Sequence, residues 1–517
     1  MISELQSSSE GTPIDRLLRE QGRLQTPVAD FSRRYDAGDV SGPFRELIPL
    51  ENPKADEQFA FEVDLDRCTG CKACVAGCHS LNGLEENETW RDVGLIQGLV
   101  EGEAYQQTVT TACHHCADPG CLNGCPVNAY EKDSVTGIVL HLDDQCIGCQ
   151  YCVLKCPYDV PKYSKRLGIV RKCDMCYSRL SVGEAPACVQ SCPTEAIRIV
   201  TVNKDAVQRK AEEANTPAFL PASPHQSFTK PTTAYVSVKH IPQNAVAGDA
   251  TVLRPQHAHW PLVIMLSLTQ ISVGLTIAAA LWPAHQRFLL LVSSVICMMG
   301  LGASALHLGQ PLKAWRAFLG IMHSWLSREI VTFGGYAPIL IGLTAAQFIS
   351  LPIELPTAAV WLPVLIGLAG VFTSVMIYAD TPRPFWRFQL TASRFFGSTM
   401  IALGAGGCVF GVGLSAILLL GLGLIAKVAV DVVGMIEIFN ADFSPDKHSA
   451  LIQMKCERKV FISRWLLTVA GTVMVALSPL SAFAIGGALL LIGGEVSERY
   501  LFFRAVAAPK MPGGIRP

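Results

Sequence analysis

The chain has 517 residues and a formal net charge of −1, so its charge balance gives no indication of a nucleic-acid partner. Half of the residues are hydrophobic and only 16% are charged, against roughly 25% in soluble proteins, which excludes one uniform soluble domain. Uncharged stretches dominate the second half, whereas most of the nineteen cysteines lie in the first. This division and the length predict several domains of different kinds.

Residues 1–60 are predicted to be a soluble lead-in. The opening residues are polar and rich in serine, and the arginine pair at 33–34 is not followed by a hydrophobic run. We therefore expect neither a secretory nor a twin-arginine export signal. Within 13–25, one amphipathic helix for packing or partner contact is predicted from the spacing of Ile14, Leu17 and Leu18.

Sixteen cysteines form four groups of four. The groups are Cys68-x2-Cys71-x2-Cys74-x3-Cys78, Cys113-x2-Cys116-x4-Cys121-x3-Cys125, Cys146-x2-Cys149-x2-Cys152-x3-Cys156 and Cys173-x2-Cys176-x11-Cys188-x3-Cys192. Groups one and three have the spacing of the bacterial ferredoxin run, and a proline follows the last cysteine of groups two to four. Because a [4Fe-4S] cluster takes four thiolates, the pattern predicts four clusters that carry electrons.

Zinc ribbons and a disulfide framework are the alternative uses of these cysteines. Zinc ribbons usually take four-cysteine sets, and disulfides need an oxidising compartment. The ferredoxin spacing favours clusters over both. His114 and His115 lie beside a complete cysteine set, so we predict that they hydrogen-bond near a cluster or tune it and do not ligate metal.

Short strands are predicted beside the cysteine groups at 59–63, 137–142 and 196–200. Their recurrence is typical of a duplicated ferredoxin module. The fold class predicted for 61–202 is therefore α+β, a duplicated bacterial-ferredoxin-like domain with four iron–sulfur clusters.

From about Phe61 to Val202 the chain resembles the four-cluster ferredoxin subunit of the dimethyl sulfoxide reductase family of molybdoenzymes. The motifs that carry the resemblance are Cys113-His114-His115-Cys116, Cys146-Ile147-Gly148-Cys149 and Lys172-Cys173-Asp174-Met175-Cys176. The family pattern implies that groups one and four exchange their last cysteines, as do groups two and three. The implied ligand sets are Cys68, Cys71, Cys74 and Cys192; Cys173, Cys176, Cys188 and Cys78; Cys113, Cys116, Cys121 and Cys156; and Cys146, Cys149, Cys152 and Cys125.

Some relatives replace one cysteine of group three and hold a three-iron cluster. Because this chain keeps Cys149, we expect four [4Fe-4S] clusters. Residues 203–256, which are rich in proline, are predicted to be an extended tail and linker over this domain, with a strand near 235–238.

From Trp260 onward the sequence is typical of a membrane protein. Four uncharged runs exceed the roughly 20 residues that cross a bilayer as a helix: 260–282, 288–312, 330–353 and 355–379. Two further apolar regions, 395–439 and 459–503, are about twice as long, so each must turn back, at 411–415 and at 478–481. We predict an all-α bundle of eight transmembrane helices over 257–505, with both ends on one side and a tail at 506–517.

The membrane half resembles the quinol-oxidising anchor subunit of the same reductase family. The motifs are His307-Leu308-Gly309-Gln310-Pro311, Ser324-Trp325-Leu326-Ser327-Arg328-Glu329 and Gly494-Glu495-Val496-Ser497-Glu498-Arg499-Tyr500. The chain thus resembles a fusion of ferredoxin subunit and anchor over about 60–505. The resemblance implies a quinol site at His307 and Glu329.

The chemistry of these two residues supports the same site. Ionisable groups inside a membrane are costly, and quinol oxidation needs groups that accept protons. His307 and Glu329 end the second predicted helix and start the third, so we expect them at one membrane face. Arg316 and Arg328 are candidate neighbours in the site. The alternative is that His307 ties helix ends together and that Glu329 only pairs with one of these arginines.

Other intramembrane charges have plainer interpretations. Lys427 and Asp431, one turn apart in the sixth helix, are predicted to pair with each other. Five more residues are predicted to anchor helix ends or to line the quinol cleft: Asp380, Arg383, Arg464, Glu495 and Arg499. Only His307 among the histidines of this half is predicted to be buried, so we expect no haem.

The leading functional hypothesis is an electron-transfer and anchor subunit that oxidises menaquinol or ubiquinol. Electrons would pass through the clusters to a separate molybdopterin-containing catalytic subunit, such as a nitrate or S-/N-oxide reductase, because the chain has no domain of the size that pterin binding requires. One alternative is electron flow in the opposite direction through the same subunit, which would reduce quinone. The other is a purely structural tether. Fifteen Lys and Arg residues are assigned to the ferredoxin side of the bundle and one to the other, which predicts a multi-pass protein of the inner membrane with a cytoplasmic ferredoxin domain.

Overall fold

The structure is a computed structural model that describes residues 12–23, 33, 36–38, 42–86, 88–100, 102–213, 218–349, 356–477 and 482–513. A mixed α/β part carries the sixteen grouped cysteines and is called here the cysteine domain (residues 57–256). A bundle of long helices, residues 260–504, follows it. The serine-rich opening of the chain lies outside the described residues.

Ten short strands of the described residues build the cysteine domain. They are β1 Glu57–Asp64, β2 Asp92–Val100, β3 Glu103–Thr111, β4 Tyr130–Lys132, β5 Val139–His141, β6 Lys162–Ser164, β7 Ile169–Arg171, β8 Ile197–Asn203, β9 Ala234–Val236 and β10 Val246–Ala247. Two three-stranded sheets have the orders β8-β1-β9 and β10-β2-β3, and two hairpins join β4 to β5 and β6 to β7. The predicted strands at 59–63, 137–142 and 196–200 are confirmed.

The cysteine domain repeats one local plan. Cys125, Cys156 and Cys192, which end groups two to four, are each followed within six residues by a strand. Short helices carry or follow the cysteines: Ala73–Asn82, Gly120–Gly124, Tyr151–Lys155, Tyr177–Leu180 and Ala187–Gln190. Buried side chains of β1 and β8, among them Phe61 and Ile197, pack between these turns. The alternation of cysteine turn and strand is the duplicated module that the sequence predicts.

Two segments flank this module. The predicted amphipathic helix forms over Pro13–Arg23, and its apolar residues Ile14, Leu17 and Leu18 are exposed. Residues 203–256 are less extended than predicted, because they contain the helix Lys204–Glu212. The same segment supplies β9, which pairs in parallel with β1, and β10, which pairs antiparallel with β2. It is therefore built into the sheets of the cysteine domain.

Eight long helices make up the described bundle. They are α1 Trp260–Leu281, α2 Gln286–Ala305, α3 Trp325–Ala346, α4 Trp361–Ala379, α5 Phe388–Val409, α6 Leu414–Ile436, α7 Arg458–Leu477 and α8 Ala482–Arg504. By length and composition, six of them could cross a membrane, all except α5 and α8. Those two carry buried charges, including Arg394, Glu495 and Arg499. Helix α1 is the most buried of these six apolar helices and packs against α2, α4, α5 and α8.

The first predicted turn inside a long apolar region is confirmed. Helix α5 ends at Val409 and α6 begins at Leu414, with Gly411 and Gly413 at φ of 68° and 94°, in the left-handed region that glycine tolerates. The second predicted turn, at 478–481, lies outside the described residues.

The chain after α8 returns to the cysteine domain. Met511 is buried in that domain's core, and Leu95 of β2 donates a backbone hydrogen bond of 3.1 Å to the Gly513 carbonyl. Lys510 forms an ion pair with Asp249. The start of α1 and the end of α8 therefore both lie on the side of the bundle that faces the cysteine domain.

Candidate functional site

Three cavities in the cysteine domain are each lined by four cysteines of one predicted ligand set. The sets are Cys113, Cys116, Cys121 and Cys156; Cys68, Cys71, Cys74 and Cys192; and Cys78, Cys173, Cys176 and Cys188. The cavities are similar in size, with about 360, 290 and 270 Å³ of empty space, part of which is open to solvent. Similar cavities with the same donors are suited to similar occupants.

The fourth predicted set also comes together. Cys125, Cys146 and Cys152 are buried in one core cluster, and Cys149 packs against it. The thiol of Cys149 lies close enough to Cys125 and Cys146 to interact electrostatically with both. Thus the last cysteine of group two joins the first three of group three, as the resemblance implies.

The thiols fit iron–sulfur clusters better than single metal ions. Among the described residues, no three His, Cys, Asp or Glu side chains lie close enough together to hold one ion. Thiols that surround a cavity without meeting at a point suit a multi-iron core. Burial raises the pKa of Cys156 and Cys188 to about 11, because no water stabilises their thiolates. A bound cluster would supply the compensating positive charge.

Groups one and three bend around their cavities in the same way. Gly70 and Gly148, each just before the second cysteine of its group, have φ of 73° and 69°. Lys72 and Gln150, just after that cysteine, have φ of 63° and 60°. Four left-handed residues at matching positions turn the loop so that successive cysteines face one cavity.

His114 and His115 hydrogen-bond to the protein, as predicted. His114 Nδ1 lies 2.8 Å from Thr233 Oγ1, and His115 Nδ1 accepts a 3.1 Å bond from the Val139 backbone N–H. Burial lowers the pKa of both imidazoles, that of His114 to about 3, so they are uncharged. They fix the loop between Cys113 and Cys116.

The fourth cysteine set lies at the junction with the bundle. His307 Nε2 lies 3.1 Å from the Cys149 carbonyl, and His323 Nε2 lies 3.1 Å from the Cys125 carbonyl. Ser324 Oγ donates a 2.7 Å bond to the Gly124 carbonyl. All three donors come from the connection between α2 and α3. That connection therefore holds the backbone of two predicted cluster ligands.

Close backbone contact completes this part of the junction. The Gln310 backbone N–H donates 3.0 Å to the Ile147 carbonyl, and its side chain donates 2.9 Å to the Leu167 carbonyl. A Cβ atom on Gly309 would lie 2.0 Å from the Gly168 carbonyl oxygen, so only glycine fits there. The motif from His307 to Pro311 is thus a docking segment as well as a candidate quinol segment.

The end of α4 fixes the helix Tyr151–Lys155. Lys155 Nζ lies 2.6 Å from Asp380 Oδ2, Arg383 donates to the Leu154 carbonyl, and the Tyr151 hydroxyl donates 3.2 Å to the Ile377 carbonyl. Asp380 and Arg383 therefore anchor one domain to the other. The sequence analysis missed Tyr151, Lys155 and His323. The only available signal was that Tyr151 and Lys155 stand among the cysteines of group three.

His307 and Glu329 are each close to group three of the cysteine domain, because His307 contacts Cys149 and Glu329 lies near Tyr151. The ring of His307 stands edge-on to His259 at 5.6 Å between centroids, and burial lowers the pKa of His307. Glu329, buried in α3, accepts a hydrogen bond from Ser374 Oγ. Tyr151 is close enough to both Glu329 and Cys149 to interact electrostatically with each.

The two candidate arginines do not pair with Glu329. Arg316 Nη1 donates 3.1 Å to the Asp144 carbonyl, and Arg328 donates to the carbonyls of Ile321 and Met322. Within the described residues, neither forms an ion pair with Glu329. The structure brings His307 and Glu329 to the same end of the bundle and leaves Arg316 and Arg328 on the outer side of the junction.

The predicted pair between Lys427 and Asp431 is wrong. Lys427 Nζ lies 2.5 Å from Glu495 Oε2 of α8, whereas Asp431 binds Arg464 of α7 at 2.9 Å. Although the two residues are one turn apart on α6, they face different neighbouring helices. Since a buried charge needs a close partner, each pairs across a helix interface.

A wider buried network surrounds Lys427. Glu498 is 3.5 Å from Lys427 and 3.4 Å from Arg499, and Ser398 Oγ donates 2.5 Å to Glu495. Arg499 is fully buried and donates 2.7 Å to Gln270 Oε1 of α1. Glu495, Arg464 and Arg499, predicted to anchor helix ends or to line the quinol cleft, hold the bundle together from within.

Comparison with known proteins identifies both halves of the chain. Residues 105–202 match the 4Fe-4S dicluster domain family, and residues 255–504 match the family of the dimethyl sulfoxide reductase anchor subunit. The first match lies within the cysteine domain, and the second covers the helical bundle. Predictions of iron–sulfur binding and of a membrane anchor are thereby confirmed.

Several curated proteins are similar to the cysteine domain. The probable anaerobic dimethyl sulfoxide reductase subunit YnfG of Escherichia coli K12 is 33% identical over 202 residues, 38% of this chain and 94% of that protein. The B subunit of anaerobic dimethyl sulfoxide reductase of Haemophilus influenzae is 36% identical over 157 residues, 29% of this chain and 76% of that protein. The formate dehydrogenase-O iron-sulfur subunit of Escherichia coli K12 is 34% identical over 174 residues, 30% of this chain and 57% of that protein. This chain therefore belongs to the dimethyl sulfoxide reductase family of oxidoreductases, as a fusion of the iron–sulfur subunit with the membrane anchor subunit.

Proposed function

We propose that this protein oxidises membrane quinol at His307 and Glu329 and delivers the electrons to a separate molybdenum-containing catalytic subunit. The hydrogen bond between His307 and the Cys149 carbonyl is the observation that carries the proposal. It joins a candidate proton acceptor of the bundle to the backbone of a candidate cluster ligand. Quinol oxidation releases two electrons and two protons, and this junction offers a route for each.

The hydrogen bond also assigns the tautomer of His307. A carbonyl oxygen only accepts, so Nε2 carries the proton and, in the uncharged ring, Nδ1 is the acceptor. His307 Nδ1 would then take one proton from the quinol hydroxyl. The Glu329 carboxylate, held by Ser374, would take the other. Tyr151, which lies near both Glu329 and Cys149, would keep the headgroup next to the fourth cysteine set.

The predicted ligand sets give the electron route an order. Cys125, Cys146, Cys149 and Cys152 lie at the junction with the bundle, whereas Cys71 of the set with Cys68, Cys74 and Cys192 is exposed. When bound, four [4Fe-4S] clusters would supply one-electron carriers between these two ends. The catalytic partner would dock where Cys71 reaches the surface.

The membrane arrangement is part of the same proposal. Helices α5 and α8 would cross the membrane together with the six apolar helices, with their charges satisfied inside the bundle. Three of the fifteen positive residues assigned to the cysteine-domain side, Arg394, Arg464 and Arg499, are buried inside long helices of the bundle, and twelve remain against Arg287 alone. This asymmetry supports a bundle in the inner membrane with the cysteine domain on its cytoplasmic side. Topology reporters fused after Pro517 and near His285 would test it, and a periplasmic C-terminus would overturn it.

The quinol site is tested by comparing two electron donors. In Glu329→Gln and His307→Ala, quinol-driven reduction of the clusters should fall by roughly 100-fold or more, as for loss of a general base. Reduction by dithionite should be unchanged. His285→Ala and Glu437→Gln are matched controls away from the junction. Wild-type quinol rates in both site variants would move the quinol site elsewhere.

Electron flow in the opposite direction, from the clusters to quinone, is supported by a separate observation. Two relatives, 37% and 34% identical over part of their lengths, are formate dehydrogenase iron–sulfur subunits, and such a partner would send electrons from the clusters to quinone. The anchor match favours the reductase direction. Midpoint potentials decide between them, because clusters that all lie well below the quinone/quinol couple would favour quinone reduction.

A further inference from the structure

Arg91 is a buried cation of the cysteine domain. Its side chain is 3% exposed, and its guanidinium lies 4.6 Å from the centre of the Phe61 ring. Nη1 donates a 3.2 Å bond to Thr110 Oγ1. Within the described part of the chain, no acidic side chain lies within the 4.0 Å of an ion pair. Burying a guanidinium in this way is costly unless another negative group compensates it.

Cysteines of two ligand sets surround this cation, and as cluster ligands they would be thiolates whose negative charge compensates it. Arg91 lines the cavity of Cys78, Cys173, Cys176 and Cys188, and the Thr110 hydroxyl that it binds lines the cavity of Cys68, Cys71, Cys74 and Cys192. The thiols that act on Arg91 most strongly are Cys188, Cys74, Cys173 and Cys78, all from these two sets. Arg91 thus lies between the two cavities.

Two further contacts direct Arg91 toward sulfur. Its guanidinium lies close enough to Cys188 to interact with it electrostatically. Its Nη2 atom has no hydrogen-bond acceptor among the described protein groups. Glu88, the nearest acidic residue before it in sequence, is instead occupied by Trp90 and Arg171. A free, buried donor at the cavity wall is available to a cluster sulfur.

We propose that Arg91 raises the reduction potentials of the two clusters held by these sets and so favours electron movement away from the membrane. The inference rests on the cluster assignment of the proposed function. A cluster with four thiolates gains negative charge when it is reduced, so a fixed cation and N–H to sulfur bonds stabilise its reduced form. Arg91 would act on the clusters through its charge and its N–H groups and would not be a ligand.

The test is a redox titration of the intact protein, purified anaerobically and monitored by paramagnetic resonance. In Arg91→Gln, two of the four clusters should show at least a tenfold lower ratio of reduced to oxidised form at a fixed potential, which corresponds to a 59 mV shift. Arg91→Lys keeps the charge and should recover most of the shift. Arg198→Gln, which removes a half-exposed arginine paired with Glu62, is the matched control and should titrate as the wild type.

The other possible results of the redox titration also decide whether Arg91 tunes the clusters. Unchanged potentials in an Arg91→Gln protein with full iron content would overturn the inference, and so would an equal shift of all four clusters. If Arg91→Gln does not retain iron, Arg91→Met, which keeps the aliphatic stem over Phe61, replaces it and must show the same shift. Loss of iron from both neutral variants would assign Arg91 to cluster assembly and would also overturn the tuning role. Fewer than four clusters in the wild type would instead refute the proposed function.

Discussion

Lys155 of the cysteine domain and Asp380 at the end of α4 form an ion pair of 2.6 Å, and Lys155 also donates 2.9 Å to the Asp380 backbone carbonyl. Lys155 is adjacent to Cys156 and three residues beyond Cys152. The pair therefore fixes the short helix that presents group three to the bundle. It helps to fix the distance between the candidate quinol residues and the thiols of group three.

Removing the charge of Asp380 should loosen this junction. Asp380 is 38% exposed, so we expect Asp380→Asn to cost about 1 kcal/mol, less than the roughly 3–5 kcal/mol of a fully buried pair. Thermal unfolding in detergent should show a decrease of a few degrees in the midpoint. Asp118→Asn, at an exposed position of the same domain, serves as the control. An unshifted midpoint with a wild-type quinol rate would show that the pair is dispensable.

Exchange of cysteines between groups is tested by Cys192→Ser. Cys192 belongs to group four in sequence but lines the cavity of Cys68, Cys71 and Cys74. The variant should lose or alter the cluster of that cavity and keep the one held by Cys173, Cys176 and Cys188. Paramagnetic resonance of the reduced protein distinguishes the two. Loss of the second cluster instead would mean that each group keeps its own last cysteine.

Iron content tests the number of clusters. Four [4Fe-4S] clusters require about sixteen irons per chain and no zinc. Elemental analysis of anaerobically purified protein measures both metals. One equivalent of zinc, or about half of this iron, would contradict the assignment of the sixteen cysteines.

The charges inside the bundle should be strongly coupled. Lys427→Met leaves Glu495 and Glu498 buried without their ammonium, and we expect a loss of about 3–5 kcal/mol. Glu495→Gln in the same chain should restore part of it. A double-mutant cycle on thermal stability measures this coupling. Independent, additive effects of the two changes would show that the pair contributes little.

Acid should destabilise the start of the bundle through His259. Burial lowers the pKa of His259 to about 3, with His307 and His257 adding to the effect. The unfolded chain, with a pKa near 6.5, binds the proton more tightly, so the contribution of His259 is complete above pH 6.5 and is lost as pH falls toward 3. The loss is about 1.4 kcal/mol per pH unit over that range. His259→Gln should flatten the dependence of stability on pH between 7 and 5, and exposed His240→Gln should not.

Apolar length is what made the bundle predictable. Runs of twenty or more uncharged residues have few alternatives to membrane helices, and Gly411 and Gly413 mark the turn between α5 and α6. Partner choice inside the bundle was not predictable in the same way. The spacing of Lys427 and Asp431 describes one helix, whereas their partners Glu495 and Arg464 come from α8 and α7, whose packing no local pattern specifies.

The residues of the candidate site likewise divide into those that the sequence indicates and those that only the structure indicates. The cysteines carry their chemistry in their spacing, and His307 and Glu329 stand out as ionisable groups near apolar helices. Tyr151, Lys155 and His323 are ordinary residue types in the sequence. Their role depends on how the cysteine domain sits on the bundle, and only the three-dimensional structure supplies that orientation.

The return of the chain after α8 has a consequence for biogenesis. Met511 fills part of the cysteine domain's core, and the Gly513 carbonyl pairs with Leu95 beside Val93, which lines the cavity of Cys68, Cys71, Cys74 and Cys192. A ribosome makes the cysteine domain before the bundle and these residues after the bundle. The packing against β2, the strand that carries Val93, is therefore completed only after the eight described bundle helices have been synthesised, although the strand itself precedes them in the chain.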